Sequence, residues 1–181
     1  MLIIITRHKW TNRAVNAAVT SAGFTSLAEK SYDFHGIPRK PDGKDPGKIH
    51  RCDIYIIQPD GNNVVIDTTV GYPLAGLAHE QRGASAADNE KFKVKHITER
   101  YTISEAVIIP FAAESFGVLG AKANAFLRFL AKNKHGEHNK AGYAQFIAYS
   151  RARIAVAVQR GNALLIDRWR AECAKAAGGG A

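Results

Sequence analysis

The first hydrophobic pattern along the chain has the period of a helix. Between residues 11 and 23, small apolar residues recur at the spacing of one helical face: Ala14, Val15, Ala18, Val19 and Ala22. Thr11 is a suitable N-cap and Gly23 a suitable stop. The pattern therefore predicts a first helix over residues 11–23.

The next segments favour strands. Residues 26–34 fit one short strand, and a loop rich in proline, glycine and charge follows over residues 35–48. The segments CDIYIIQ and VVIDTTV are rich in β-branched and aromatic residues and flank PDGNN. Asp60 and Gly61 suit a turn that needs positive φ, so these two segments predict a β-hairpin.

Helical periodicity returns in the second half of the chain. Residues 86–101 predict a basic helix, and EAVIIPFA predicts a buried strand that Pro110 closes. Residues 121–132 and 141–175 predict two alanine-rich helices, the second interrupted near Gly161. The sum is an α/β protein of one domain, residues 1–181, with a core over about residues 11–115 and a helical extension over about residues 120–176.

Composition narrows the class of protein. The chain has 181 residues, of which 46% are hydrophobic and 23% charged, which is typical of one globular domain. The apolar runs are too short to span a membrane, and two cysteines, Cys52 and Cys173, cannot form a disulfide framework. We therefore expect an intracellular protein. Its compartment would be the cytoplasm of a bacterium or phage host, or the nucleus of a eukaryote. The net charge of +9 favours a polyanionic partner, with nucleic acid first.

Two acidic residues interrupt the apolar hairpin strands. Asp53 lies in the first strand and Asp67 in the second, so a tight hairpin can place both carboxylates side by side. Thr69 shares a face with Asp67 because strand side chains alternate. An unpaired charge is costly inside an apolar strand, so each acid needs a cation. That cation is either Mg²⁺ or Mn²⁺, which prefer oxygen ligands, or a lysine or arginine side chain.

The basic helix supplies candidate lysines. Lys91 and Lys95 are four residues apart and share one face of the helix, whereas Lys93 lies off it. A lysine beside a metal can orient a water molecule and can stabilise the charge that grows on a phosphate in the transition state. The alternative is that these lysines form a solvated face.

Five segments together resemble a known nuclease family. These are WTNRAVNAAV, RCDIYIIQPDGNNVVIDTTV, NEKFKVKH, IPFAAESFGVLG and IAVAVQRGNALL. They resemble the endonuclease domain at the C-terminus of non-LTR retrotransposon polyproteins, a branch of the PD-(D/E)XK nucleases, and the resemblance covers nearly the whole chain. It implies a restriction-endonuclease-like αβββαβ core with a mixed sheet.

The resemblance also implies roles for particular residues. Asp53 stands at the aspartate of the PD element and Asp67 at the (D/E) position, and Thr69 stands where the family usually has lysine. In the retroelement branch the lysine lies on the following helix, where Lys95, with Lys91 as second choice, is found. Members often add an acid to the metal site, and Glu29 is the candidate here. Glu114 matches another family acid, but we expect it to cap the helix that begins near Gly120.

The implied function is a metal-dependent endonuclease that hydrolyses DNA phosphodiester bonds, uses Mg²⁺ or Mn²⁺ and is linked to a mobile genetic element. Nucleic-acid contacts are expected from seven polar residues, Arg7, His8, Asn12, Arg13, Asn16, Arg51 and Lys93. The alternative is a decayed nuclease fold that only binds nucleic acid or serves a structural role. The C-terminal helices could form a homodimer in either case.

Overall fold

The structure described below is a computed structural model of residues 2–45, 48–72, 83–136 and 138–178. Its elements are α1 (Leu2–Ser21), β1 (Thr25–Ala28), β2 (Ile54–Ile57), β3 (Val64–Gly71), α2 (Ala84–Thr98), β4 (Ile108–Glu114), α3 (Ala121–His135) and α4 (Lys140–Gly178). Short 3-10 helices occupy Asp33–His35 and Glu105–Val107. The predicted order of helix, three strands, helix and strand is confirmed.

A four-stranded mixed sheet is the centre of the fold. Its order is β1-β2-β3-β4, with the first two pairings antiparallel and the β3–β4 pairing parallel. The predicted hairpin is confirmed, and Gly61 in its turn has a φ of 78°. Because parallel strands need a crossover connection, α2 lies between β3 and β4 in the chain. The α/β class with a mixed sheet is therefore confirmed.

The last strand does not close at Pro110 as predicted. Strand β4 continues through Pro110 to Glu114, and Pro110 pairs with Asp67 in the register. Strand β4 stands at the edge of the described sheet, where a residue without an N–H group is tolerated. The apolar stretch on both sides of the proline is buried, which outweighs the local preference for a break.

Helices cover both faces of the sheet. On one face, buried side chains of α1, α3 and α4 pack against β2, β3 and β4, with Val15, Ile66, Phe111, Leu127 and Ile154 among them. On the other face, Val94 and Ile97 of α2 pack against Val65 and Ile108. Helices α3 and α4 thus contribute to the main core. In the described part of the chain, no helix is both long and apolar enough to cross a bilayer.

Helix α1 begins well before the predicted residue. It starts at Leu2, so Thr11 lies in mid-helix and its hydroxyl donates a hydrogen bond of 3.0 Å to the Arg7 carbonyl oxygen. The early turns are held by contacts far along the chain, because Arg7 reaches Asn162 of α4 and the Val70 carbonyl oxygen of β3. The prediction of Gly23 as the stop is confirmed, with a φ of 89° two residues after the helix ends.

Gly161 does not interrupt α4 as predicted. The helix runs unbroken from Lys140 to Gly178, and Gly161 lies where α4 meets α1. A Cβ atom at this position would lie 2.6 Å from Cγ, 2.7 Å from Cα and 2.8 Å from Cβ of Arg7. The glycine is therefore needed for the close approach of the two helices.

The first prediction concerns this contact. Gly161→Ala gains up to about 1 kcal/mol of helix propensity, but the overpacked contact with the α1 backbone costs about 1–3 kcal/mol. We expect a net loss of stability in thermal unfolding. Gly142→Ala is the matched control in the same helix, because its new Cβ would meet only the side chains of His135 and Asn139. Equal Tm changes for the two variants would contradict this account of Gly161.

Candidate functional site

Asp53 and Asp67 meet at one end of the β2–β3 pairing. The paired residues are Ile54 and Ile66, so the next step along the ladder sets Asp53 opposite Asp67. The two residues are only 8% and 7% exposed. The register thus brings two buried carboxylates together, as the sequence predicted.

Helix α1 supplies the partners of Asp53. The Nε2 atom of His8 lies 2.7 Å from Oδ1 of Asp53, and the backbone N–H of Thr68 donates to Oδ2 at 2.6 Å. The hydroxyl of Thr68 donates to Oδ2 at 3.0 Å and also contacts the side-chain oxygen of Asn12. His8 and Asn12 are four residues apart and share the helical face that meets the sheet. Asp53 is therefore fixed by three groups, the imidazole of His8 and the N–H and hydroxyl of Thr68, and Asn12 in turn contacts Thr68.

Helix α2 supplies the partner of Asp67, and it is not the predicted lysine. The Nζ atom of Lys93 donates to Oδ1 of Asp67 at 2.7 Å. The side chains of Lys91 and Lys95 are 83% and 75% exposed and lie near Asp88 and Glu99 instead. The placement of Lys95 or Lys91 at the carboxylates is thus not observed.

The buried stripe of α2 explains the difference. Ala86, Glu90, Val94 and Ile97 point inward, so the sheet-facing side is set by these residues. Lys93 is three residues after Glu90 and four before Ile97, which puts it beside the stripe. Lys91 and Lys95 instead line a separate groove of about 510 Å³ between α2 and the start of α3.

The two carboxylates have opposite pKa shifts. Burial works to raise the pKa of Asp53, but the hydrogen bond and the charge of His8 keep it below its usual value. Burial raises the pKa of Asp67 to about 7, against the pull of Lys93 and with the help of the Asp53 charge. Burial lowers the pKa of His8, yet its contact with Asp53 leaves it raised overall. Asp53 is thus favoured in its ionised form, whereas burial makes Asp67 costly to ionise even beside Lys93.

A cavity of about 260 Å³ opens above the carboxylates. Its wall contains three residues that were predicted to bind nucleic acid, His8, Arg51 and Lys93. Five further residues of the wall were not predicted: Tyr32, His50, His96, Ile97 and Tyr101. The rings of Tyr32 and Tyr101 stack at 4.5 Å. Both hydroxyls and Nε2 of His50 are buried without a hydrogen-bond partner among the described residues. The cavity therefore offers cations and unpaired polar groups to a ligand.

Two predicted site residues lie away from this cavity. Thr69 is half-buried and does not line it, whereas its neighbour Thr68 holds Asp53. Glu29 has an exposed side chain and a φ of 54°, directly after β1. Only its backbone N–H approaches the site, donating to the Asp53 carbonyl oxygen at 3.0 Å. Neither residue contributes a side-chain oxygen to the carboxylate pair.

The predicted nucleic-acid contacts divide into three groups. His8, Arg51 and Lys93 line the cavity. Arg7, Asn12 and Asn16 form internal hydrogen bonds, as when Asn16 accepts from Ser26 at 2.7 Å. Arg13 lies in a second groove, between α1 and α4.

Glu90, not Glu114, caps α3. Its Oε1 atom accepts from the backbone N–H groups of Lys122 at 2.9 Å and Ala123 at 3.2 Å. Gly120 permits this approach, since a Cβ there would lie 2.2 Å from the carboxylate oxygen. Glu114 is 2% exposed, and its Oε1 has no partner in the part of the chain that the structure describes. The predicted cap at Glu114 is wrong because that residue ends β4 inside the core.

Comparisons with known proteins do not assign this chain to a family. No protein-family model matches this chain, and a search of curated proteins finds no match either.

The second prediction follows from the raised pKa of Asp67. The carboxyl titrates near 4 in an unfolded chain and at about 7 in the folded protein. The stability gained from its protonated form is therefore complete below about pH 4 and is lost as the pH rises through 7. Asp67→Asn keeps the neutral form at every pH, so in EDTA the Tm of the variant minus that of the parent should increase by several degrees between pH 4.5 and pH 8.

The pH comparison isolates the ionisation of Asp67. In the variant, Lys93 faces a neutral group at both pH values, whereas in the parent it faces a carboxylate only at high pH. The pKa of about 7 for Asp67 already includes this attraction to Lys93, so the expected sign of the difference stands. A difference in Tm that stays constant from pH 4.5 to pH 8 would contradict the raised pKa.

Proposed function

We propose that this protein is a metal-dependent endonuclease that hydrolyses DNA phosphodiester bonds, linked to a mobile genetic element. The observation that carries the proposal is the contact of Lys93 with Asp67, opposite Asp53, in a cavity with cationic walls. Two carboxylates and a lysine beside them are the groups that a phosphodiesterase of the resembled family needs. The net charge of +9 supports a polyanionic substrate.

The two carboxylates fit a hard divalent cation. Among the described residues, no group of three or more His, Cys, Asp or Glu side chains has the arrangement of a metal site. Mg²⁺, however, is often held by one or two carboxylates together with water and substrate phosphates. Burial, with a smaller contribution from the Asp53 charge, raises the pKa of Asp67, so a further cation beside it would favour the ionised carboxylate. Asp53 and Asp67 would hold the ion, which when bound supplies an activated water and neutralises charge on the phosphate.

The chain's own residues bind and orient the substrate around that pair. An ammonium group has three N–H donors, and Asp67 takes one from Lys93, so the others can reach a phosphate oxygen. Arg51, at the cavity wall, can hold a neighbouring phosphate. His8 fixes the orientation of Asp53 and is a positioning residue.

The third prediction tests which lysine acts. Lys93→Ala removes a group that stabilises transition-state charge, so we expect cleavage of supercoiled plasmid in Mg²⁺ or Mn²⁺ to fall at least about 100-fold. Lys91→Ala and Lys95→Ala change the same charge on the same helix and are the matched controls, with expected losses below about threefold. Initial rates of nicking at low salt provide the measurement.

The result can contradict the proposal in two ways. Equal losses for the three lysine variants would assign the effect to overall charge. No cutting by the parent protein in either metal, with EDTA as the blank, would refute the nuclease itself.

The fourth prediction tests the metal directly. Binding to the folded state raises Tm with ligand concentration, so millimolar Mg²⁺ or Mn²⁺ should raise the Tm of the parent relative to EDTA. Asp53→Asn and Asp67→Asn should abolish this increase. Asp88→Asn, which removes an exposed carboxylate of α2, should keep it. An increase that persists in the double variant would show that the ion binds elsewhere.

A second candidate is a decayed nuclease fold that binds nucleic acid without cutting it. The observation in its favour is that His8 and Lys93 already occupy one oxygen of each carboxylate, together with Thr69 in the usual lysine position. This candidate predicts salt-sensitive DNA binding and no response of Tm to the metal ions. A homodimer through the C-terminal helices stays a prediction in both cases.

A further inference from the structure

A second polar groove lies between α1 and α4, away from the carboxylates. It has a volume of about 230 Å³ and is lined by two alanines and Val156, with Trp10 and three arginines, Arg13, Arg153 and Arg160. Ala14 and Ala157 are buried and form the floor, whereas the three arginines are exposed. The groove therefore has an apolar floor and a cationic rim.

Trp10 organises two of the arginines. The guanidinium carbon of Arg13 lies 5.6 Å from the centre of the indole ring, and that of Arg160 lies 5.9 Å from it. A cation–π contact of this length orients a guanidinium without consuming its N–H donors. The five donors of each group thus stay available for a ligand.

None of the three arginines has an anionic side chain of the described residues as a partner. Among the described residues, Arg13, Arg153 and Arg160 make no ion pair and no side-chain hydrogen bond. Other arginines do, as when Arg151 donates to Asn124 at 2.7 Å and Arg100 to Asp45 at 2.8 Å. Three like charges around one small groove repel each other, so this arrangement is stabilised when an anion binds.

The groove is separate from the carboxylate cavity. Residues two apart in a helix differ by about 200° around its axis, so Trp10 and His8 lie on nearly opposite sides of α1. His8 faces Asp53, and Trp10 faces α4. No residue lines both cavities.

We propose that this groove binds the phosphodiester backbone of a nucleic-acid segment that flanks the segment in the carboxylate cavity. Guanidinium groups match phosphate oxygens in a bidentate way, and phosphate contacts carry no sequence information. We therefore expect the groove to contact nucleic acid independently of its sequence. The proposal rests on nucleic acid as the substrate of the proposed function but does not depend on its hydrolysis.

The experiment measures duplex binding in EDTA, where no cutting occurs. The groove variant is Arg153→Gln with Arg160→Gln. The matched control is Arg168→Gln with Arg170→Gln, which removes the same charge from the exposed end of α4. Affinity is measured by fluorescence anisotropy against salt concentration, with labelled duplexes of two unrelated sequences.

We expect the groove variant to lower the slope of log K against log salt by about one for each lost phosphate contact, hence by about two. Affinity should fall equally for both sequences, and the control should keep the parent slope. Equal changes in groove and control variants would overturn the proposal, since the effect would then be general electrostatics. Far-UV circular dichroism of both variants checks that the exposed substitutions leave the fold intact.

A second readout locates the ligand. The chain has two tryptophans, Trp10 and Trp169, so Trp169→Phe leaves Trp10 as the only reporter. Titration with duplex DNA in EDTA should change the Trp10 emission, and poly-glutamate at the same salt should change it far less. Binding without any change in emission would overturn the assignment to this groove. An equal response to poly-glutamate would assign the groove to acidic polypeptides.

Neither readout needs catalysis. Failure of the groove proposal is therefore distinguishable from failure of the nuclease proposal. A groove variant that binds as the parent does, while the parent still cuts plasmid in Mg²⁺, would refute the groove alone.

Discussion

Two buried carboxylates that face each other across the β2–β3 pairing set the main constraint on this structure. Each buried charge is costly unless it is paired. Asp53 receives His8 from α1 and the backbone of Thr68, and Asp67 receives Lys93 from α2. The helices on the two faces of the sheet are thus tied to the same pair of acids, and any change in the position of either helix changes the charge balance of the site.

Much of the fold follows from local patterns, and the failures have tertiary causes. Turn residues such as glycine, together with the spacing of hydrophobic residues, predict the order of the helices and strands and the hairpin, because these features depend on neighbouring residues. The start of α1 depends instead on Arg7, which meets α4 and β3 more than sixty residues away. Pro110 is tolerated because β4 is at the edge of the described sheet. Gly161 allows α4 to contact Arg7 of α1 closely and does not interrupt the helix. A short stretch of sequence does not contain the distant residues that determine these three features.

The candidate site likewise has a part that local sequence predicts and a part that depends on tertiary structure. The hairpin register was enough to pair Asp53 with Asp67, since a tight turn fixes which residues face each other. Charge spacing alone favours Lys91 and Lys95, whereas Val94 and Ile97 mark the inner face of α2 in the sequence and place Lys93 beside it. The tyrosines and histidines of the cavity come from four separate segments, around residues 8, 32, 50 and 96–101, and only the folded chain brings them together.

Helix α1 connects the two polar sites. Its inner face carries His8 and Asn12 to Asp53, and its opposite face carries Trp10 and Arg13 to the groove with α4. Arg7 lies between these faces and bonds to the Val70 carbonyl oxygen, three residues beyond Asp67, and to Asn162 of α4. A nucleic-acid chain that contacts both sites has to pass around α1, and the helix is about 10–12 Å wide with its side chains. If both sites bind nucleic acid as proposed, the packing of α1 on α4 would set the distance between the phosphate in the groove and the phosphate beside the carboxylates.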